Sequence, residues 1–338
     1  MSDVASSAIE RVLLFDRSVR LRMQFTGPKA AESLTGLVTN DVLSLRGGDG
    51  QYAGALTPKG RVIADVRILA IADGDGTVSS LLVDTNAAAG VGFSAMIRKY
   101  VNPRLAKYTD VTATTACLTL AGSDALALLH RCGADATVLD DLRVGPSFTH
   151  RVTALREIAV RIARIPDLGD VDAFDLLCDR AQRDALRSAL VTVGAEGADD
   201  VEWHRRRVVA GRPEWGVDMD ESTLAQEANM DALQAISYRK GCYTGQETVA
   251  RVHFRGHVNR TLRRVRFSDI DLPDVGTALS DDASAAVGDA RSTAIGDDGQ
   301  PVGIAMLRRE VGDGARLIWT GADGRRHALV VVGAPDAD

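Results

Sequence analysis

The stretch "SYRKGCYTGQETVAR", residues 237–251, sets Cys242 between Gly241 and Tyr243, just after Arg239 and Lys240, and follows it with Gly245, Gln246 and Glu247. Packing alone does not require that order. The flanking glycines would let a ligand approach the backbone. If residues 240–242 are extended, Lys240 and Cys242 project to the same side, and a nearby ammonium favours the thiolate. A cysteine at a crowded turn is the alternative reading. Cys117, Cys132 and Cys178 instead lie inside apolar stretches, where a small buried hydrophobe is the default.

The four cysteines form no C-x-x-C pair, so neither a zinc site nor a permanent four-thiolate cluster is encoded locally. No metal is expected. The first residues, "MSDVASSAIER", carry no basic n-region and no apolar h-region, which predicts a cytoplasmic protein without disulfides. The longest uncharged runs, such as 111–123, fall well short of the roughly 20 residues a spanning helix needs, so no membrane partner is expected. A net charge of −6 argues against bulk nucleic-acid binding. The charge is unevenly placed, however: "RVHFRGHVNRTLRRVR", 251–266, holds six arginines and no acid. Alone it reads as a solvated strand pair; beside a cofactor site it would hold an anionic tail.

At 338 residues the chain exceeds the roughly 250–300 at which single cores stop growing, so two or three domains are expected. "GPKAAESLTGLV" from Gly27 reads as a helix opened by Pro28. "QYAGALTPKGRVIADVRILAI" alternates on both sides of "TPKG", as a hairpin does. Residues 86–101 read as a helix with Phe93, Met96, Ile97, Tyr100 and Val101 on one buried face. A strand over 111–121, a Ser123-capped helix through Leu129, strands at "EIAVRIARI" and "AFDLLC", and a helix over about 180–192 follow. "DVEWHRRRVVAG" reads as a helix stopped by Gly211. Beyond about 258, short apolar runs punctuated by Gly, Asp and Pro predict a small β-barrel or sandwich. Strands adjoin as often as they alternate with helices, which favours α+β over a doubly wound parallel sheet.

Three weaker signals compete. "GVGFSA", 90–95, fits a loose dinucleotide fingerprint but lacks the ribose-binding acid and the βαβ context, so a glycine-rich start to a packed helix is the better reading. His253 and His257 have no carboxylate or cysteine following closely enough to complete a metal site. A cysteine hydrolase would need His204, His253 or His257 beside Cys242.

The block "KGCYTGQETVAR", 240–251, resembles the signature of the YgfZ-type folate-binding proteins, relatives of the glycine-cleavage T-protein. "AGRPEWGVDMDESTLAQEA", 210–228, is similar to that family's G-x-P-x-x-G-x-D stretch, and "LTGLVTNDVLSLRGGDGQYAGALTPKGRVIADVRIL" resembles its opening helix and hairpin. The resemblance implies a T-protein-like α+β cloverleaf of three domains around a central folate opening. Residues 1–258 would form a folate-binding module of two interwoven α+β domains, with internal boundaries near 50, 110 and 200, and 259–338 a C-terminal β-barrel.

It further implies tetrahydrofolate as cofactor. Glu227 would accept the pteridine N–H groups in a fork; Arg239, Lys240 and the arginine run from Arg251 would hold the glutamate tail. Trp215, Tyr243 or Tyr100 would stack on the rings or belong to the core. Aminomethyl-transferring T-proteins carry an aspartate early in the helix that follows about the fourth strand. Here no Asp or Glu stands between Asp84 and Asp110, though Asp84 could lean in. The resemblance therefore points to the branch associated with assembly or repair of iron–sulfur enzymes, whose clients or assembly proteins would be the partners. Cys242 would act as a reactive thiol, with Gln246 and Glu247 positioning it or capping the next helix. The alternative is a folate-dependent one-carbon transferase of aminomethyl type.

Overall fold

The computed structural model describes residues 11–74 and 76–334. Its elements run β1 (Leu13–Asp16), β2 (Leu21–Thr26), α1 (Ala30–Thr35), β3 (Gly50–Leu56), β4 (Val62–Ala72), β5 (Val78–Thr85), α2 (Gly90–Tyr100), β6 (Lys107–Asp110), β7 (Thr115–Ala121), α3 (Ala125–Arg131) and α4 (Ala136–Val144). They continue through β8 (His150–Leu155), β9 (Ile158–Arg164), β10 (Ala173–Asp179), α5 (Arg183–Thr192), β11 (Glu196–Gly197), α6 (Asp200–Val209) and α7 (Gln246–Arg255). The last strands are β12 (Arg260–Phe267), β13 (Ala278–Ser280), β14 (Ala286–Ile295), β15 (Pro301–Arg308), β16 (Arg316–Thr320) and β17 (Arg326–Gly333).

The strands form a six-stranded sheet, β11-β1-β7-β10-β9-β8, a five-stranded sheet, β3-β4-β5-β2-β6, and a closed barrel, β12-β15-β14-β13-β16-β17. Pairing is antiparallel except between β1 and β11. This is an α+β fold with a C-terminal barrel, as expected. Among the described residues no helix is long and apolar enough to cross a membrane.

Period-two alternation decides where the cores sit. On β5, Leu81 and Val83 pack with α1 and α2, whereas Leu82 faces the other way. On β1, Leu14 packs with the helices of the six-stranded sheet, whereas Leu13 and Phe15 face the other way. Each sheet thus buries one face under its own helices and turns the other toward a core shared by both. Phe25 and Phe93, fully buried on the helix side, each contribute about 1.5–3 kcal/mol of burial.

Several local readings change. Tyr100, expected on the buried face of α2, is 45% exposed and lies beneath Lys99 at the helix end. The strand expected from 111 begins only at Thr115, because the Arg22 guanidinium holds the turn through Thr112 O, Thr115 O and Thr115 Oγ1. The helix α4 was not anticipated; its first turn is capped by Asp135, which accepts from Thr137 N–H. The glycines of "GVGFSA" do open α2, where a side chain at Gly92 would press on Ile63.

Candidate ligand cavity and cysteine loop

On the inner face of β4, Leu69 is followed toward the strand start by Arg67 and Asp65, two residues apart and therefore on one side. On β5, Asp84 shares the side of Leu82; on β10, Asp175 shares the side of Leu177. The shared apolar core therefore gives way to ionised groups. Arg20 Nε donates to Asp84 Oδ1 at 2.6 Å, and Arg67 donates to Asp175 at 2.8 Å and to Asp167. Thr119 Oγ1 donates to the second oxygen of Asp175 at 2.5 Å. Burial pushes the carboxyls of Asp65 and Asp175 above their usual range. Burial would also raise Asp167, but Arg67 and Arg212 hold it below.

Next to this network lies a cavity of about 890 Å³, bounded by β3, the 146–149 and 164–172 loops and residues 232–234. Its size falls within the roughly 300–1,000 Å³ of small-molecule sites. Tyr52 and Arg212 line both this cavity and a narrow inner neck of about 30 Å³. Tyr52 donates its hydroxyl to Asp65 Oδ2 at 2.9 Å, and its ring lies parallel to Phe148 at 6.4 Å between centres. Phe148 has φ +68°, a left-handed conformation that costs about 1–3 kcal/mol and collects at functional sites. At the cavity wall Gln51 Nε2, and at the neck Asp65 Oδ1, are buried without a hydrogen-bond partner among the described residues. Sequence reading missed these groups. A usable signal was there: charged residues interrupting buried strands at alternate positions, in "ADVR", "LLVD" and "AFDL".

The cysteine loop leaves the cavity wall at Gln234 and runs along residues 35–40. Ser237 N–H donates to Thr39 O and Thr244 N–H to Gly36 O. Gly245, at φ +87°, then turns the chain into α7, with Gln246 and exposed Glu247 in the first turn. A Cβ there would meet Thr57 O at 2.7 Å. Cys242 is a free thiol and exposed, whereas Cys117, Cys132 and Cys178 are buried. The imidazole of His204 contacts Arg207, and that of His253 stacks on Tyr238 at 3.6 Å, so both rings are engaged elsewhere.

Other expected contacts are placed differently. Lys240 is not free to grip an anionic tail: its ammonium donates to the carbonyls of Thr35, Val38 and Asn40 and lies 4.6 Å over Tyr243. Glu227 does not line the cavity; its carboxylate accepts from Leu224 N–H at 2.8 Å and Arg260 Nε at 3.1 Å. The arginine run is split between α7 and β12. Arg251 stays exposed with Arg239, while Arg260 and Arg263 are tied to Glu227 and Asp313. Tyr243 is a core residue, and Trp215 packs against the core and donates to Val62 O. Asp84 is held by Arg20.

Comparison with known proteins agrees with this architecture. The solved structure of glycine cleavage system aminomethyltransferase T from Bartonella henselae superposes with a TM-score of 0.83 at 19% identity, covering 97% of this chain and 87% of that one. The tRNA-modifying protein YgfZ of Vibrio vulnificus is 28% identical over 85% of this chain and 81% of its own length. The mitochondrial iron-sulfur cluster assembly factor IBA57 homolog of Neurospora crassa is 26% identical over 77% of this chain, which spans 55% of that relative. The family described as the GCVT N-terminal domain matches residues 5–237, and the chain belongs to that family.

Proposed function

We propose that the chain is a cytoplasmic, tetrahydrofolate-binding accessory protein for the assembly or repair of iron–sulfur enzymes, with Cys242 as its reactive thiol. The observation that carries the ligand is the cavity of about 890 Å³ with its orphaned Gln51 Nε2 and, at the neck, Asp65 Oδ1. Those groups fit a pteridine. The amide donates to a ring carbonyl, the carboxyl oxygen meets a ring N–H, and Phe148 with Tyr52 offers flat apolar faces. The names of the Neurospora and Vibrio relatives support the iron–sulfur setting. Tetrahydrofolate would supply a one-carbon carrier beside the site.

In this reading Lys240 anchors the loop that presents Cys242, and Gln246 and Glu247 set its geometry at the start of α7. Exposed Arg239 and Arg251 face a client rather than the folate. Calorimetry with tetrahydrofolate tests the cofactor: wild type binds, while Gln51→Leu and Phe148→Ala lose at least tenfold in affinity. No binding heat from the wild type would end the folate reading. Loss of maturation of an iron–sulfur enzyme in cells carrying Cys242→Ser tests the thiol.

A second reading, one-carbon transfer, is favoured by Asp65, whose carboxyl is raised by burial and has one oxygen unpartnered. It requires aminomethyl-transfer turnover that Asp65→Asn abolishes; a wild type without turnover removes it.

A further inference from the structure

Five arginines line the neck, Arg17, Arg20, Arg67, Arg207 and Arg212, against Asp65, Asp167 and Glu214. Three of them are satisfied: Arg20 by Asp84, Arg67 by Asp175 and Asp167, and Arg207 by Asp218. Arg17 differs. It is 8% exposed and lies 4.2 Å over the Trp203 ring, yet the carboxylate oxygens of Asp200 and Glu214 stand 3.7 Å away, beyond hydrogen-bond reach. Its Nε is buried without a partner among the described residues. Glu214 is held off by other groups, because Asn86 Nδ2 donates to it at 2.8 Å and Arg207 Nε sits 2.9 Å from its second oxygen.

Across the neck, half-buried Arg212 lies 6.0 Å over Tyr52 and is near enough to Asp167 to hold its carboxyl down, without a hydrogen bond to a carboxylate among the described residues. A guanidinium presents five donors in a rigid fork, and burying it unpartnered is costly. Burial and the neighbouring Arg20 lower the proton affinity of Arg17, and Glu214 and Asp167 only partly offset them.

We propose that the neck is a carboxylate-binding site, in which Arg17, braced on Trp203, takes the anion in its fork and Arg212 closes the opposite side. A volume of about 30 Å³ is room for about two water-sized probes. It therefore admits a formate-sized carboxylate and excludes a ring or a phosphate ester. The anion has two sources: a free small carboxylate, or the carboxylate end of a larger ligand in the adjoining cavity, since Tyr52 and Arg212 border both.

The first arm follows [13C]formate by NMR and does not rest on folate binding. Saturable binding to the full chain is expected, weakened at least tenfold in Arg17→Gln and less in Arg17→Lys, which keeps the charge without the fork. Circular dichroism and thermal midpoints establish that each variant is folded, and Arg212→Gln gives the same readout from the opposite wall. The second arm compares tetrahydrofolate with a tetrahydropterin lacking the tail. If formate is inert, a loss of tetrahydrofolate affinity in Arg17→Gln with tetrahydropterin unchanged assigns the anion to the tail. Formate that never saturates, together with affinities that neither arginine variant alters, would mean that water fills the neck and would overturn the assignment.

Discussion

The ammonium of Lys240 sits 4.6 Å from the ring centre of Tyr243 and donates to Val38 O at 2.6 Å and Asn40 O at 3.1 Å. Burial pulls its pKa down to about 8. The folded chain thus releases this proton before the unfolded chain does, and between about pH 8 and the ordinary lysine value the unfolded state binds more protons. Stability from this group therefore rises with pH across that window. Urea unfolding at pH 8, 9 and 10 should show this rise in the wild type and a flatter profile in Lys240→Met. Equal slopes would show that Lys240 titrates as an exposed lysine.

Much of the fold is legible in the sequence, because alternation and turn residues act locally. The "TPKG" hairpin forms as read, with Gly60 N–H donating to Thr57 O, and the α+β class follows from strands that adjoin in sequence. The site is less legible. The loop of Cys242 is marked by its glycines, and its thiol is free and exposed. The partners of Glu227 and Lys240 are long-range, however: Arg260 lies on the barrel strand β12, and the carbonyls of Thr35, Val38 and Asn40 lie between the end of α1 and β3 of the five-stranded sheet. Spacing cannot reveal that such groups are already satisfied. Tyr52 and Phe148 were invisible for the same reason, since β3 and the 146–149 loop meet only through tertiary packing.

The pair Arg207–Asp218 joins α6 to the barrel. Asp218 is fully buried and accepts from Arg207 at 2.6 Å, from Ser292 Oγ of β14 at 2.5 Å and from Glu214 N–H at 2.8 Å. Removing one partner of such a pair costs about 3–5 kcal/mol. Asp218→Ala should lose that much in urea unfolding and make the 260–333 region sensitive to protease before the rest. A loss below 1 kcal/mol would mean that the barrel docks by other contacts.

Glu227 separates a structural role from a ligand role. Its two oxygens hold Leu224 N–H and Arg260, so Glu227→Ala leaves a buried donor unsatisfied at a cost of about 1–3 kcal/mol. Tetrahydrofolate affinity should stay within twofold of the wild type while the unfolding midpoint falls. A tenfold affinity loss at unchanged stability would return Glu227 to the pteridine.

Gly245 fixes how α7 begins and hence where Cys242 is held. Its φ of +87° is left-handed, and a Cβ would stand 2.7 Å from Thr57 O in the β3–β4 turn. Backbone there cannot yield without moving the hairpin, so Gly245→Ala carries both the left-handed strain, about 1–3 kcal/mol, and a displacement of the 237–244 loop. The loop is tied to residues 35–40 through Ser237, Lys240 and Thr244, so a shift at Gly245 propagates to the thiol. Alkylation of Cys242 followed by mass spectrometry should change severalfold relative to wild type, while buried Cys117 stays protected in both. An unchanged alkylation rate together with full stability would show that the left-handed turn is dispensable and that the loop is positioned by its carbonyl anchors alone.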